Sequence, residues 1–172
     1  MKCFSYIALL FSVLLTSVSC EIIADELPTY EDTSIVRVGD EAPEFTIESI
    51  DGEWLAMPCN EPTLLILFSH TCPDCQKMMG DLQEWLNGDD EEHNIIAISR
   101  GGTTEEIAAF RDEHKLGFKI AADEDAEIYY KYATMYVPRC YVIDSNGMVR
   151  LMTYEYQSGD VEKLMSELKK LY

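Results

Sequence analysis

A run of apolar residues leads directly into a pair of cysteines, and this junction severely limits the folds open to the chain. Residues 63–69 have the length of one strand, and their lack of polar alternation predicts burial on both faces. Cys72 and Cys75 follow in the spacing C-x-x-C, and apolar residues then recur at intervals of three and four, as in a helix. The sequence therefore predicts a central strand that ends in a cysteine pair, at the start of a helix that reaches about Asn87.

This placement of the cysteines suits thiol–disulfide chemistry. Backbone N–H groups and the helix dipole at a helix start favour a thiolate on Cys72. Pro73 falls at the first helical position, where its missing N–H costs no hydrogen bond. We expect Cys72 to attack a disulfide and Cys75 to resolve the mixed disulfide. Pro73 and Asp74 would modulate the pair, and Asp74 would make it more reducing because its carboxylate disfavours the thiolate through like charge.

Composition excludes several other kinds of protein. The 172 residues allow one domain with a substantial core, but not two domains of ordinary size. Apolar residues make up 47% of the chain, which argues against disorder. The net charge of −19 argues against nucleic-acid binding, since phosphates would repel the chain. We expect neither a bound metal nor an organic cofactor.

The N-terminus has the pattern of an export signal. Lys2 supplies a positive charge, residues 7–15 form an apolar stretch shorter than the ~20 residues of a membrane span, and small residues precede Cys20. The end of the segment resembles a bacterial lipobox, although Ser17 stands where such boxes usually carry leucine. We expect a lipoprotein signal over residues 1–19, with Cys20 as the lipid-attachment site. An ordinary secretory signal and an uncleaved anchor are the alternatives.

The predicted organisation follows from this signal. Residues 20–35 are acidic and lack periodicity, so we expect a tether. Residues 36–172 then form the domain. The expected location is extracytoplasmic, in the cell envelope of a bacterium, with the chain lipid-anchored to a membrane.

Strand and helix patterns alternate along the domain. Alternation over residues 45–48 and the turn signal Asp51-Gly52 predict a short N-terminal β-hairpin. Thr103 and Glu106 have the spacing of a helix capping box. Further strands are expected at 94–99, 118–121, 141–143 and 149–153, and further helices at 103–115, 125–132 and 161–171. This order predicts an α/β fold with a central mixed β-sheet sandwiched by helices.

From residue 36 to residue 172 the order of motifs resembles the thioredoxin fold. More specifically, it resembles the membrane-tethered, extracytoplasmic thiol–disulfide oxidoreductases of the TlpA type, in the peroxiredoxin/thioredoxin superfamily. The motifs that carry the resemblance are the opening segment 38–45, the strand that ends in Cys72-Pro73-Asp74-Cys75, the strand–helix insertion over 94–132, and Val137-Pro138 before the final hairpin.

The resemblance implies an oxidoreductase that exchanges disulfides with exported proteins, with reduction favoured, and that trades electrons with a membrane donor or acceptor. It also implies that Pro138 is a cis-proline facing the disulfide, and cis bonds are essentially a proline property. Proline has no N–H to donate to the nearby thiolate, while Val137 can offer its backbone to a bound peptide. Val137 and Pro138 are therefore candidate substrate-binding residues.

Three positions depart from the family pattern. Ile66 replaces a buried Asp six residues before the first cysteine, Met78 replaces a Glu three residues after the second, and Thr71 replaces a Trp. Both usual proton acceptors for the second cysteine are therefore absent. Asp74 is the nearest carboxylate in the sequence and His70 the nearest histidine, and we expect His70 to be solvated.

The remaining cysteines and tyrosines leave alternatives open. Cys140 is interpreted as a small buried hydrophobe, as a disulfide partner of Cys59, or as an accessory redox thiol. Four tyrosines near the Val-Pro loop are expected to pack rather than to line a peptide groove. They are Tyr129, Tyr130, Tyr132 and Tyr136.

Two other functions fit part of the pattern. A peroxiredoxin shares the opening motif, and Ser69 matches its pattern, but Leu65 stands where its proline belongs. A thioredoxin-like copper chaperone holds Cu(I) with two thiolates, but such proteins use C-x-x-x-C together with a downstream His. Peroxide turnover and tight, stoichiometric copper binding would identify these two alternatives.

Overall fold

A computed structural model describes residues 27–172. The predicted signal over residues 1–19 and the predicted lipid site Cys20 lie outside the described residues. Within the described part, no helix has the length and apolar character that crossing a membrane requires. The elements of the described chain are β1 (Phe45–Glu48), β2 (Trp54–Met57), β3 (Thr63–Phe68), α1 (Pro73–Asn87), β4 (Asn94–Arg100), α2 (Thr104–His114), β5 (Lys119–Asp123), α3 (Tyr129–Tyr132), β6 (Arg139–Ile143), β7 (Val149–Tyr154) and α4 (Asp160–Lys169).

Five strands form one mixed sheet in the order β5-β4-β3-β6-β7. All six residues of β3 are buried, as expected of a central strand that is covered on both faces. β3 pairs in parallel with β4 and antiparallel with β6, so that Phe68 lies opposite Ser99 and Leu67 lies opposite Arg139. The carboxyl ends of the parallel strands β3, β4 and β5 therefore meet at one edge, where open α/β sheets usually bind their ligands.

Alternate residues of β3 belong to two separate hydrophobic clusters. Leu64, Ile66 and Phe68 pack with residues of α1, α2 and α4. Leu65 and Leu67 pack on the other face with α3, the β1–β2 hairpin and residues that precede β1. The predicted mixed sheet between covering layers is confirmed, although the hairpin and the residues before it cover much of the second face.

Local signals in the sequence account for several element ends. Thr103 caps α2 as predicted: its hydroxyl accepts from the N–H of Glu106 (3.3 Å), and the Glu106 carboxylate accepts from the N–H of Thr103 (2.8 Å). The predicted N-terminal hairpin is present as β1 and β2. Gly52 in its turn has a φ of +81°, which glycine adopts without a steric penalty.

The α3 helix is shorter than the predicted helix over residues 125–132. Ala126 adopts a left-handed conformation with a φ of +58°, which interrupts a right-handed helix. The carboxylate of Asp123 accepts a hydrogen bond from the N–H of Tyr129 (2.9 Å). The side chain thus satisfies a helix-start donor from outside the helix, and residues 124–127 form a turn instead.

The end of the predicted tether packs against the domain. Ser34 forms an antiparallel bridge with Ala133. The N–H groups of Ile35 and Val36 donate to the carbonyl oxygen of Tyr132 over 3.0 and 3.1 Å. The packed domain therefore begins before residue 36, where the composition placed its boundary.

Candidate active site

The C-x-x-C lies where β3 passes into α1. Cys72 directly precedes the helix in an extended conformation, with a φ of −86° and a ψ of 120°. Within the described chain its side chain forms no capping hydrogen bond, so the N–H groups of the first turn can stabilise a sulfur anion. Cys72 is partly exposed, and its Sγ lies 3.8 Å from the carbonyl oxygen of Val137. The Cys72 sulfur therefore lies at a helix start and is accessible to a substrate.

Cys75 lies in the first turn of α1 and is fully buried. Burial raises the pKa of its thiol, and a backbone hydrogen bond with Ser69 opposes that rise. The thiol belongs to the buried cluster that also contains Met78 and Cys140. Cys75 is therefore the protonated and protected member of the pair at neutral pH.

Pro73 and Asp74 form the exposed start of the same helix. Pro73 occupies a first-turn position, as the sequence predicted. The Asp74 carboxylate also lies in the first turn, where the helix dipole favours any negative charge. Carboxylate and thiolate thus compete for the same helix end, which is the arrangement that the predicted role of Asp74 requires.

The loop before β6 carries the proline that the family resemblance singled out. The Val137–Pro138 peptide bond is cis, as that resemblance implied. β6 pairs with β3 so that its first residue lies opposite Leu67, and this register brings the loop beside Cys72. The Met57–Pro58 bond is cis as well, and no motif in the sequence indicated it.

Apolar side chains occupy the two positions where the family resemblance implies proton acceptors. Ile66 and Met78 are both buried. His70 was expected to be solvated, and it is only partly exposed: its Nδ1 is buried and has no hydrogen-bond partner within the described residues. Its ring packs against Gly102, where an added Cβ would lie 2.8 Å from His70 Cε1. A glycine at residue 102 is therefore what allows the histidine to pack beside the cysteine loop.

Cys59 precedes β3, and Cys140 belongs to β6 beside the middle of β3. The Sγ of Cys59 lies 2.6 Å from the hydroxyl of Thr63, at the start of the strand. Cys140 pairs with Ile66 in mid-strand, and its Sγ lies 3.3 Å from the Sδ of Met78. Both cysteines are free thiols, so the alternative of a disulfide between them is not observed in the described structure. Burial raises the pKa of Cys140 to about 12, which favours its interpretation as a small buried hydrophobe.

Replacement of Cys140 tests that interpretation. We expect Cys140→Ala to keep disulfide-exchange activity within about twofold, because the thiol is neither exposed nor ionised. The small cavity left beside Met78 should lower the free energy of unfolding by about 1 kcal/mol. Insulin reduction and denaturant unfolding measure the two effects. A much larger loss of activity at unchanged stability would identify an accessory redox thiol instead.

Two of the four tyrosines pack as predicted. Tyr129 and Tyr132 are fully buried. Tyr130 is half exposed and Tyr136 is partly exposed. The hydroxyl of Tyr129 donates to the carbonyl oxygen of Tyr136 over 2.7 Å, so this core tyrosine also supports the loop that leads to the cis-proline.

An arginine that the sequence analysis did not single out lies directly after the cis-proline. Arg139 is fully buried, with 0% of its surface exposed, and it bonds to hydroxyl and carbonyl groups around the loop. Buried arginines are rare. The sequence feature that could have indicated Arg139 is its charge at the start of an otherwise apolar strand.

A second group of titratable side chains lies at the opposite edge of the sheet. Asp89, Glu91 and His93, just before β4, have potential ligand atoms within 4.8 Å of one another. The ammonium of Lys169 lies 2.7 Å from an Asp89 oxygen and 3.1 Å from a Glu91 oxygen. Its hydrogen bond is the main cause that lowers the pKa of Asp89 to about 2. A surface depression of about 690 Å³ adjoins this group, but lysine already supplies the cation there.

Comparisons with known proteins agree with this site. Residues 38–152 match the AhpC/TSA family. The thiol-disulfide oxidoreductase ResA of Oceanobacillus iheyensis is 28% identical over 145 residues, which cover 80% of this chain and 76% of ResA.

Two solved structures share the fold. StoA from Bacillus subtilis superimposes with a TM-score of 0.63 and 18% identity, covering 74% of this chain and 97% of StoA. A peroxiredoxin-like protein from Aquifex aeolicus superimposes with a TM-score of 0.64 and 18% identity, covering 77% of this chain and 88% of the Aquifex protein.

The similarity to ResA confirms the predicted class, a thiol–disulfide oxidoreductase, and the two solved structures confirm the thioredoxin-like α/β fold. The family match spans the C-x-x-C, the cis-proline loop and the sheet that joins them. On that match, the chain belongs to the AhpC/TSA family.

Proposed function

We propose that this chain reduces disulfides in exported proteins, with Cys72 as the attacking thiolate and Cys75 as the resolving thiol. The observation that carries the proposal is the unequal exposure of two sulfurs at one helix end. Cys72 is partly exposed, whereas Cys75 is fully buried. The similarity to ResA, a thiol-disulfide oxidoreductase, supports the same chemistry.

The reaction has two exchange steps. In the first, the Cys72 thiolate attacks one sulfur of the client disulfide, the client S–S bond breaks, and the other client sulfur leaves and takes up a proton. In the second, Cys75 loses its proton and attacks the Cys72 sulfur, and the remaining client sulfur leaves as a thiol. Two electrons have then passed to the client, and Cys72 and Cys75 form a disulfide.

Val137 and Pro138 are proposed to hold the client beside the attacking sulfur. The Val137 carbonyl oxygen lies 3.8 Å from Cys72 Sγ, so a peptide attached to that sulfur passes along the same loop. Pro138 has no N–H and leaves the thiolate free to react. Backbone contacts of this kind suit a reductase that accepts different clients, since every peptide offers N–H and C=O groups.

The proposed setting is the cell envelope of a bacterium. Cleavage after residue 19 and lipid attachment at Cys20 would hold the domain at a membrane surface. A membrane electron donor would then return the Cys72–Cys75 disulfide to the dithiol. The similarity to ResA is consistent with such a role in a bacterium.

The reduction potential of the Cys72–Cys75 pair tests the proposed direction. It is measured by equilibrating the chain without residues 1–19, and with Cys20 replaced by serine, in defined thiol buffers. A value near thioredoxin's, about −270 mV, supports a reductase, and a value near about −120 mV indicates an oxidant. If no reversible two-electron couple exists, the proposal is wrong, and peroxide turnover and copper titration then distinguish the other two functions.

Removal of the negative charge between the cysteines should make the pair more oxidising. Asp74→His replaces an exposed first-turn carboxylate, so the thiolate and with it the reduced form become more stable. We expect the reduction potential to rise by about 30 mV, equivalent to a tenfold change in the equilibrium constant. Asp74→Asn, which is neutral, should give a smaller rise. An unchanged or lower potential in both variants would contradict the role assigned to Asp74.

A further inference from the structure

Arg139 carries a buried charge among neutral groups. None of its surface is exposed, and within the described residues it forms no ion pair with a carboxylate. Burial of an unpaired charge is costly unless its N–H groups are hydrogen-bonded. The groups that accept from Arg139 therefore show what the residue holds together.

The guanidinium of Arg139 donates to two distant parts of the chain. On the loop side, Nε and Nη2 donate to the carbonyl oxygen of Met135 over 3.1 and 2.8 Å, and Nε also donates to that of Tyr136 over 3.3 Å. On the other side, Nη1 donates to the Ser34 hydroxyl and Nη2 to the Thr33 hydroxyl, both over 2.6 Å. Arg139 and Ser34 are 105 residues apart in the chain.

Residues 28–36, here called the N-terminal segment, also contact the loop directly. The hydroxyl of Tyr136 donates to the carbonyl oxygen of Pro28 over 2.9 Å. The N–H of Thr134 donates to the carbonyl oxygen of Thr33, also over 2.9 Å. With the arginine at their centre, the segment and the cis-proline loop form one hydrogen-bonded unit.

This unit places Tyr30 on the side of the fold that carries the cysteines. The Tyr30 ring stacks on that of Tyr154 with centroids 5.0 Å apart, and its centroid lies 4.6 Å from that of Tyr136. Burial and then the charge of Glu155 raise the pKa of Tyr30, and the charge of Asp74 adds to that rise. Tyr30 is therefore a neutral, partly exposed ring that lies against the cis-proline loop.

We propose that Arg139 is a positioning residue that holds the N-terminal segment on the cis-proline loop, and that Tyr30, so placed, determines specificity for polypeptide disulfides. The inference rests on the proposed function, since it assigns the residue that recognises the client of the same site. The occupant is the extended chain that flanks the client's reacting cysteine.

The spacing of the site supports that occupant. A client sulfur bonded to Cys72 lies against Val137, and each further residue of an extended client chain advances by about 3.3 Å. Tyr136 directly precedes Val137 in this loop, and its ring centroid lies 4.6 Å from that of Tyr30, so a client chain that follows the loop meets these rings. Tyr154 beside them is 38% exposed, and such aromatic surfaces contribute much of the affinity in protein interfaces. A small disulfide has no flanking chain and gains nothing from these rings.

The test compares a protein disulfide with a small one. The chain without residues 1–19, with Cys20 replaced by serine, reduces insulin or oxidised glutathione while a dithiol reductant returns Cys72–Cys75 to the dithiol, and kcat/KM is measured for each after the uncatalysed rate is subtracted. For Tyr30→Ala, we expect the ratio of insulin to glutathione kcat/KM to fall about tenfold, mainly through the KM for insulin. Trp54→Ala is the matched control, because Trp54 is an exposed aromatic residue on the β1–β2 hairpin, and its ratio should stay unchanged.

Two sets of variants test the arginine. Arg139→Met should lower the same ratio, and Arg139→Lys, which keeps a donor and the charge, should lower it less. If Arg139→Met shows no cooperative thermal unfolding, the double variant Thr33→Val/Ser34→Ala replaces it, since it removes two acceptors and keeps the arginine. If Arg139 only positions the segment, the equilibrium constant of the cysteine pair with glutathione should be within about twofold in these variants and in the parent chain.

The outcomes separate the two proposals. A fall in the ratio for Tyr30→Ala and for the arginine or double variant supports the inference. Equal losses of kcat/KM on insulin and glutathione, or no loss on either, overturn the inference. In that case, reduction of insulin by the parent chain still upholds the proposed function. A parent chain that reduces neither substrate overturns both.

Discussion

Cys75→Ser is expected to stop the reaction after its first step and to trap the client as a stable mixed disulfide with Cys72. The serine hydroxyl keeps its proton at neutral pH and cannot displace the client sulfur. Turnover with insulin should fall by about a thousandfold or more. Non-reducing gel electrophoresis and mass spectrometry of the intact adduct would identify the trapped species and its attachment site.

The matched control for this trap is Cys72→Ser. The buried Cys75 remains in that variant, but it is fully covered and protonated at neutral pH because burial raises its pKa. We therefore expect neither turnover nor adduct. An adduct on Cys75, or turnover that survives in Cys72→Ser, would reverse the assigned roles.

Release of the reduced client should accelerate strongly with pH. Burial raises the pKa of Cys75, so at neutral pH only a small fraction of this thiol is the attacking thiolate. At any pH below the pKa of Cys75 in the folded chain, the thiolate fraction grows tenfold per pH unit. This predicts about a hundredfold faster resolution at pH 8 than at pH 6. Stopped-flow measurement of the second thiol, with the chain in excess over a client disulfide, would follow this step. A resolution rate that does not vary with pH would mean that another group accepts the proton.

A carboxylate restored near Cys75 should flatten that profile. Met78 is buried in the same cluster as Cys75 and Cys140, and it occupies the position where the resemblance to TlpA-type proteins implies a Glu. In Met78→Glu, burial raises the pKa of the new carboxyl towards neutrality, so that it can take the Cys75 proton. We expect resolution at pH 6 to be about tenfold or more faster than in the parent chain. Met78→Gln has the same shape as Met78→Glu but carries no carboxylate, so it should not accelerate resolution.

Local patterns predicted the strand–helix junction that carries the cysteine pair. The apolar run of β3, the C-x-x-C and the spacing of α1 are contiguous, so their hydrogen bonds and periodicity can be read within some twenty-five residues. The capping box at Thr103 and the hairpin turn at Gly52 were predictable for the same reason. The family resemblance then placed Pro138 beside Cys72, and the register of β6 on β3 agrees with it.

Those local patterns could not predict contacts between distant parts of the chain. Acidic composition indicated a tether up to residue 35, but Arg139 bonds to Ser34 across 105 residues and makes the end of that stretch part of the domain. His70 was expected to be solvated, and it stays partly exposed while its ring packs against Gly102, which follows the next parallel strand. The length of α3 depended on a hydrogen bond from Tyr129 to the Asp123 side chain rather than on helix propensity.

The sequence thus determined which residues can do the chemistry, because thiol reactivity depends on a helix start and a C-x-x-C that are both local. The tertiary structure decided which thiol is buried, which groups lie near it, and which surface surrounds the exposed sulfur. Those properties arise from packing between elements, and a buried cation such as Arg139 is tolerated only where the fold brings enough acceptors together.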